Sequence, residues 1–577
     1  MKKRGLIRVS HLLIFIMLST LVACSGNNAV NSPHAQNTGS DPAVTNTTGD
    51  SNAAPPTDCT LKLWGMIGNG SVKEPGIQDD AVAKEIERVV GCKIELYPHE
   101  SDEIFATKLA GGEMPDVFAV NRKFAKQLID AKAVKPLDEL IEEHAPNIAK
   151  LDKVLQYDRD FMSDDSKQIY FTTRAAEDFV YNFDVGMMIR WDYYEEMGKP
   201  PVNNVDDYIN VLAEMMKKHP TTEDGKKVYG LSPYFDWGMW SWTTPAYIYG
   251  MWNHGILDYD MANNLQPSNV VTNEQSSFWK TVEIYYKAKQ KGILDPDSFT
   301  QKFDNAMQKN RDLRVLGGFA SFWFGDPNTK FQTAGEAKGF MPIPPAEGTK
   351  AFWAGYWQPL GADSHYAISS HTKYPEQAIK LLDYLYSPEG NRTLRSGVKG
   401  EHWDEVNGEY EIKPEVLEQR QKDPDFSLKT GIGRYGFLTG LPNEFRGEQF
   451  DLFSLPKYQK QSPLQKEYYA EYGVKDGKEL LDQRVENKVV NTAVLLLQPL
   501  QPDDTKRIDD KIIDYITKAA VKVVLAKSDK EYEQLKKQTI EEVKKMDFDQ
   551  SDAYWTKVSQ DIKDYMDKND LSGVPAK

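Results

Sequence analysis

Residues 59–97 read CTLKLWGMIGNGSVKEPGIQDDAVAKEIERVVGCKIELY, and their pattern sets the fold class. The segments CTLKLW (59–64) and CKIELY (92–97) alternate apolar and polar residues with the period of a half-buried strand. Between them, AVAKEIERVV (81–90) spaces its apolar residues as a helix does. Strand, helix and strand in so short a span make a β-α-β unit, whose two strands are usually neighbours and parallel. Cys59 and Cys92 then open adjacent strands. A disulfide suits an exported protein, and the matched positions favour it over two free buried thiols.

The pattern repeats downstream. DEIFATKLA (102–110) predicts a helix that Gly111-Gly112 ends, and MPDVFAV (114–120) predicts a third, buried strand. Asn121 and Arg122 follow at its carboxyl end. Ligands of open α/β sheets bind at the carboxyl ends of strands, so 64–66 and Asn121-Arg122 are expected to face a cleft. Asn121 could equally cap the next helix, over 124–131.

Upstream, residues 1–23 are a leader. Lys2, Lys3, Arg4 and Arg8 precede a mostly apolar run, 12–22, too short to span a bilayer comfortably. The run ends in Leu21-Val22-Ala23-Cys24, similar to the lipobox of bacterial lipoproteins, which implies a lipid on Cys24. Such a protein sits on the outer face of the cytoplasmic membrane, anchored rather than spanning. Residues 24–57 are mostly Asn, Ser, Thr, Ala, Gly and Pro. Such a segment buries too little apolar surface to offset its ordering entropy, so it is expected to be a disordered tether.

The remaining body, from 58 to 577, is too long for one core and predicts at least two domains. The net charge of the chain is −16, and the leader takes only basic residues with it. So acidic a body excludes ordinary nucleic-acid binding. One stretch of the body is unusual: YFDWGMWSWTTPAYIYGMW (234–252) packs Tyr234, Phe235, Trp237, Trp240, Trp242, Tyr247, Tyr249 and Trp252 among Asp236, Ser241, Thr243 and Thr244. Flat rings beside a few polar groups suit a flat, half-apolar ligand such as a sugar, or form an aromatic mini-core under a loop. In an extended segment Trp240 and Trp242 point the same way; in a helix Trp237 and Trp240 share a face. The three indoles therefore cannot all contact one ligand.

An ordered series of further segments resembles bacterial extracellular solute-binding proteins of family 1, and within it the large lipoproteins of oligosaccharide ABC importers. The segments are LKLWGMIG (61–68), GGEMPDVFAV (111–120), DVGMMIRWDYYEEMGKP (184–200), NVDDYINVLAEMMK (204–217), FWAGYWQPLGADSHYAIS (352–369), YPEQAIKLLDYLYSPEG (374–390) and GVKGEHW (397–403). The resemblance covers nearly all of 58–565. It implies an α/β, two-lobed periplasmic-binding-protein-like fold of type II, with hinge crossings near 171–174, 363–367 and Gly400 and a ligand cleft between the lobes. It assigns 58–175 and 362–402 to the first lobe, and 176–361 and 403–577, with the carboxyl-terminal helices, to the second. Trp237, Trp240, Trp242, Trp323 and Trp357 are then the expected stacking rings. Asp236, Asn121 and Glu401 are expected to bond hydroxyls, and Arg122, Arg174 or Arg434 to meet any acidic sugar. The function implied is capture of an oligosaccharide and its delivery to an ABC permease, by a monomer without cofactor.

Some members of this family hold Ca²⁺ in an Asp/Asn-rich loop. Here the matching segment, HPTTEDGKK (219–227), offers only Glu223 and Asp224 as carboxylates. A hard cation needs six or more oxygens, so no metal is expected. No HExxH, Walker-type GxxxxGK[ST] or GxSxG motif occurs, and no carboxylate pair is singled out by spacing. An anchored glycan-degrading enzyme and a peptide- or amino-acid-binding receptor of the same architecture are the rival readings.

Overall fold

The computed structural model describes residues 58–64, 75–97, 102–174, 182–361, 364–423, 425–435, 450–455, 457–458 and 460–572. The leader, Cys24, the tether, Gly65-Met66 and Asp363 lie outside them. The first sheet has six strands in the order Gly76–Ile77, Lys93–Tyr97, Thr60–Trp64, Val117–Val120, His365–Ile368, Phe171–Thr173. Thr60–Trp64 runs parallel to Lys93–Tyr97, with Thr60 opposite Lys93, and parallel to Val117–Val120. Cys59 and Cys92 are joined by a disulfide, Cα to Cα 4.7 Å. The connecting helix Ala81–Val90 is capped by the Asp80 carboxylate on Ala83 N–H, and stops at left-handed Gly91. It buries Val82, Ala83, Ile86 and Val90, one stripe of a 3.6-residue repeat.

The sheet is covered on both faces, which is why VFAV shows no alternation. Val117 and Ala119 belong to one core, with Leu61, Ile86 and Ile94. Phe118 and Val120 turn the other way, into the larger core that continues through the second half of the chain. The strand His365–Ile368, distant in sequence, completes the first sheet by pairing antiparallel with both Val117–Val120 and Phe171–Thr173.

Between those two strands the chain builds a second body. Val185–Arg190 lies between Gly317–Ala320 and Phe340–Ile343, antiparallel to both. Thr349–Trp357 pairs in parallel with Val485–Asn491. A meander, Met251–His254, Leu257–Asp260 and Gln266–Asn269, stands beside them. Helices Val205–Lys218 and Ser277–Gln290 and the carboxyl-terminal helices Asp503–Val524, Asp529–Val543 and Phe548–Lys568 share its core.

The chain passes between the bodies at tight, buried points. Gly361 has φ +89°, and a Cβ there would meet Arg174 O at 2.5 Å, so only glycine fits. Arg174 N–H donates to Ser364 O at 2.7 Å. Beside this crossing the Thr173 hydroxyl donates to the Asp158 carboxylate and lies 2.9 Å from His365 Nδ1. The Tyr386 hydroxyl donates to Thr173 O at 2.6 Å.

One expectation is corrected by the packing. The resemblance puts residues from 403 onward in the second lobe, yet Trp403, Ile412, Val416, Phe426 and Phe453 sit in the core of the first sheet. The Trp403 indole N–H donates to Gly397 O at 2.7 Å, and the Arg392 guanidinium lies over its ring. These contacts hold the hairpin Trp403–Val406/Glu409–Ile412 to the helix Pro388–Ser396 just before it. Among the described residues, the chain rejoins the larger core from Leu464 and Tyr468; the Tyr468 hydroxyl donates to Pro342 O at 2.8 Å.

Candidate functional site

The aromatic stretch folds as a turn and two short helical segments. Gly238, with φ +61° and ψ −137°, turns the chain into helix Met239–Thr243; the 3-10 segment Thr244–Tyr249 follows, with Pro245 near its start. Left-handed Gly250 ends it against strand Thr349–Trp357, where a Cβ would strike the Ala351 Cβ at 2.3 Å.

The helix divides the rings. Trp242 is 2% exposed and lies stacked on Phe235, centroids 3.9 Å apart, with Phe278 and Phe299 around it. It is a core residue, which corrects its expected place at the ligand. Trp237 and Trp240 share the outer side, as the helical alternative requires, with centroids 5.2 Å apart. Trp237 is 44% exposed and leans on Phe303 at 4.5 Å. Trp240 approaches Phe322, itself 50% exposed, and the edge of Trp323. Trp323 is largely covered, and its indole N–H donates to the Tyr234 hydroxyl at 3.2 Å. The result is an open wall of Trp237, Trp240 and Phe322 backed by Tyr234, Phe303 and Trp323.

Next to Phe322, Ser321 N–H donates to the Asp184 carbonyl at 3.0 Å, which fixes the strand start bearing the Asp184 carboxyl. That carboxyl is open to solvent, yet protein surrounds it closely enough for desolvation to raise its pKa. Tyr356 shows the same combination: it is 38% exposed, and burial of its surroundings raises its pKa, with a further push from Asp184. Accessible surface inside a protein-rich environment is the property of a concave wall. Trp252 and Trp353 pack against Tyr356 at 6.2 and 5.2 Å. The Trp353 indole nitrogen is buried without an acceptor among the described residues. Trp357, the neighbour named from sequence, is 5% exposed and anchored in the strand pair with Val485–Asn491. Phe322, Tyr356 and Asp184 were not among the expected contacts.

The expected polar contacts are engaged elsewhere. The Asp236 carboxylate accepts Phe303 N–H at 3.1 Å, at the start of helix Phe303–Arg311. The Asn121 side chain accepts Lys123 N–H at 3.0 Å, the capping alternative. Arg122 Nη1 donates to Leu496 O and Gln498 O. Glu401 is exposed in the turn before the Trp403 hairpin, 3.8 Å from His402 Nε2, on the part of the chain that packs on the first core. The structure thus brings Trp237, Trp240 and Trp323 together, ties Asp236 to Phe303 behind them, and leaves Asn121, Arg122 and Glu401 out of the wall. At the carboxyl ends of the first two long strands, Trp64, Tyr97, Lys108 and Met114 line a separate cavity of about 310 Å³.

In the loop 219–227, Asp224 accepts the Thr222 hydroxyl and pairs with Lys226 Nζ at 3.1 Å. Among the described residues no group of three or more His, Cys, Asp or Glu is placed to hold a metal ion. No described helix is long and apolar enough to cross a membrane.

Comparison with known proteins places this architecture. No curated protein matches the sequence. Among solved structures, the alginate-binding protein AlgQ2 without calcium ion is similar at 18% identity and a TM-score of 0.53, covering 89% of this chain and 100% of that one. The Streptococcus pneumoniae ABC-transporter substrate-binding protein FusA in complex with kestose matches at 16% identity and a TM-score of 0.57, over 88% and 100% of the two chains. An extracellular solute-binding protein from Bifidobacterium longum subsp. infantis matches at 13% and 0.56, over 88% and 98%. At these identities the likeness concerns the two-lobed fold. The sequence profile of the bacterial extracellular solute-binding proteins matches residues 70–392, more than half of the chain, and the protein belongs to that family.

Proposed function

We propose that the protein is a lipid-anchored, extracytoplasmic receptor that binds an oligosaccharide on the wall Trp237–Trp240–Phe322 and hands it to an ABC permease. The observation that carries this is the open side of that wall. Three large rings stay partly solvent-exposed although each packs on another ring. Ring faces cover the C–H surface of a sugar, while the exposed Asp184 and Tyr356 beside them bond hydroxyls. Among the neighbours, FusA was solved with kestose, which supports a sugar over a peptide. The wall faces a cleft between a first lobe of 58–174 and 364–455 and a second lobe of 182–361 and 460–572. The protein acts as a monomer without catalysis, on the outer face of the cytoplasmic membrane, held by lipid on Cys24.

Thermal-shift screening of the body from Asp58 against neutral oligosaccharides, uronides and peptides tests the ligand class, since a ligand of the native state raises Tm by mass action. Oligosaccharides alone should do so, and should be recovered uncleaved after prolonged incubation. A response confined to peptides would overturn the reading, and turnover would point to an enzyme. For the anchor, Cys24→Ala should leave the membrane fraction; sedimentation of the variant with membranes after a salt wash would refute the lipid.

A further inference from the structure

A second cavity lies away from this wall, between the meander strands Leu257–Asp260 and Gln266–Asn269 and the carboxyl-terminal helix Phe548–Lys568. Its volume is about 370 Å³, the lower part of the range of small-molecule sites. We propose that it is a second binding site, for a small neutral polyhydroxylated compound the size of one pyranose ring.

The floor carries Tyr259 and Trp555, with Leu257 and Val494 beside them. Both aromatic residues have their polar atoms committed inside the protein. The Trp555 indole N–H donates to Asp509 Oδ2 at 2.8 Å, and the Tyr259 hydroxyl accepts Gln498 Nε2 at 2.9 Å. What they offer the cavity is ring surface, which suits the C–H face of a sugar. Besides one ion pair, the rim is made of carboxamides, hydroxyls and one carboxylate: Asn264, Gln266, Thr556, Ser559 and Asp552. The lining cation, Lys563, is paired with Asp567 at 2.5 Å, and the Ser572 hydroxyl also donates to Asp567. That pair cancels, and Asp552 leaves the rim with a net negative charge, so an anion is repelled there. An apolar floor with a hydrogen-bonding, net-acidic rim selects hydroxyls over phosphates or carboxylates.

The site shares none of its lining with Trp237, Trp240, Phe322 or Asp184. Tyr259 packs against Trp252 at 5.6 Å, and Trp252 packs against Tyr356. A two-ring partition thus separates the cavity from Tyr356. The inference does not depend on the reading of the aromatic wall.

The test uses the body from Asp58 and free glucose, galactose, mannose and xylose as probes, read by saturation-transfer NMR. A ligand of this size is expected to bind with Kd on the order of 1 mM. Thr556 and Asp552 are surface positions of the helix, so Thr556→Trp, which fills the mouth, and Asp552→Ala leave the fold intact, as the unchanged melting curve should verify. At least one probe should give a transfer signal that Thr556→Trp abolishes, that Asp552→Ala weakens about tenfold, and that Trp237→Ala leaves unchanged. No signal at tens of millimolar, or a signal that survives Thr556→Trp or is lost in Trp237→Ala, overturns the proposal. A signal lost only in Trp237→Ala would assign all sugar binding to the aromatic wall.

Discussion

Arg122 donates from a single nitrogen, Nη1, to the carbonyl of Leu496 at 2.8 Å and to that of Gln498 at 2.7 Å. Arg122 directly follows the first-sheet strand Val117–Val120, and Leu496 ends the short helix Ala493–Leu496 that follows strand Val485–Asn491. One guanidinium therefore ties the end of a first-sheet strand to the end of a second-body strand, and satisfies carbonyls that a helix terminus leaves open. Arg122→Ala should cost about 2–3 kcal/mol of stability, as charged hydrogen bonds to otherwise unpaired carbonyls do. Urea unfolding measures this, and oligosaccharide Kd should stay within about twofold. A variant of native stability that has lost binding would return Arg122 to the ligand.

The Cys59–Cys92 bridge closes a loop with a sequence separation of 33 residues. In the chain-entropy account, such a loop destabilises the unfolded state by about 3–4 kcal/mol. Reduction, or Cys59→Ala with Cys92→Ala, should lower the urea midpoint accordingly. Oligosaccharide affinity should not change, because the bridge lies at the amino-terminal ends of its two strands, away from the ends that face a cleft. Thiol labelling of the unreduced, denatured body should find no free thiol.

The two bonded strands show what was legible in the sequence. The alternation of CTLKLW and CKIELY and the stripe of AVAKEIERVV are local, and local periodicity survives folding. Which indole faces outward was not legible. It depends on Gly238, whose φ of +61° sets where the helix begins and so turns Trp242 inward and Trp237 outward. The nearness of Phe322 and Asp184 to the aromatic stretch was not legible, because tertiary structure alone brings these distant segments together. Asn121 bonds the backbone two residues on, as a short polar side chain before a helix often does, whereas Asp236 bonds the start of a helix 67 residues away, a partner that only the tertiary fold supplies. The hairpin at Trp403 was misplaced because its partners, Arg392 and Gly397, precede it, and composition says nothing about which core a hairpin covers.

Asp158 is fully buried beside Thr173, and desolvation raises its pKa to about 8, against the opposing effect of the Thr173 hydrogen bonds. His365, Tyr386, Tyr366 and Tyr157 are further titratable groups at this crossing, with Arg174 nearby. A carboxyl whose pKa is higher folded than unfolded binds its proton more tightly in the native state. Its contribution is fully present below pH 4 and is lost as pH rises toward 8. Stability should fall across that window, and Asp158→Asn, neutral at every pH, should flatten the fall. Tm measured from pH 4 to pH 9 on both proteins checks this. Parallel curves would show that Asp158 is ionised in the fold and that the slope comes from another group.

Trp237 and Trp242, five positions apart, should respond in opposite ways to the same substitution. Trp242 is 2% exposed and stacked at 3.9 Å on Phe235, so Trp242→Ala should cost about 3–5 kcal/mol of stability through the lost burial and the cavity left behind. Trp237 is 44% exposed and contacts other rings of the wall. Removing it empties little of the core, and the unliganded Tm should move by no more than a few degrees. If the wall binds sugar, Trp237→Ala should weaken oligosaccharide binding by about 2 kcal/mol, the loss typical of an aromatic anchor, which calorimetry resolves as a roughly thirtyfold higher Kd. Phe322→Ala should behave like Trp237→Ala, because its exposed ring continues the same surface past Trp240. Should both exposed-ring variants bind with native affinity while Trp242→Ala alone is impaired, the stretch 234–252 would be a mini-core with an incidentally open edge. The ligand would then have to be sought at the carboxyl ends of the first-sheet strands, beside Trp64 and Tyr97.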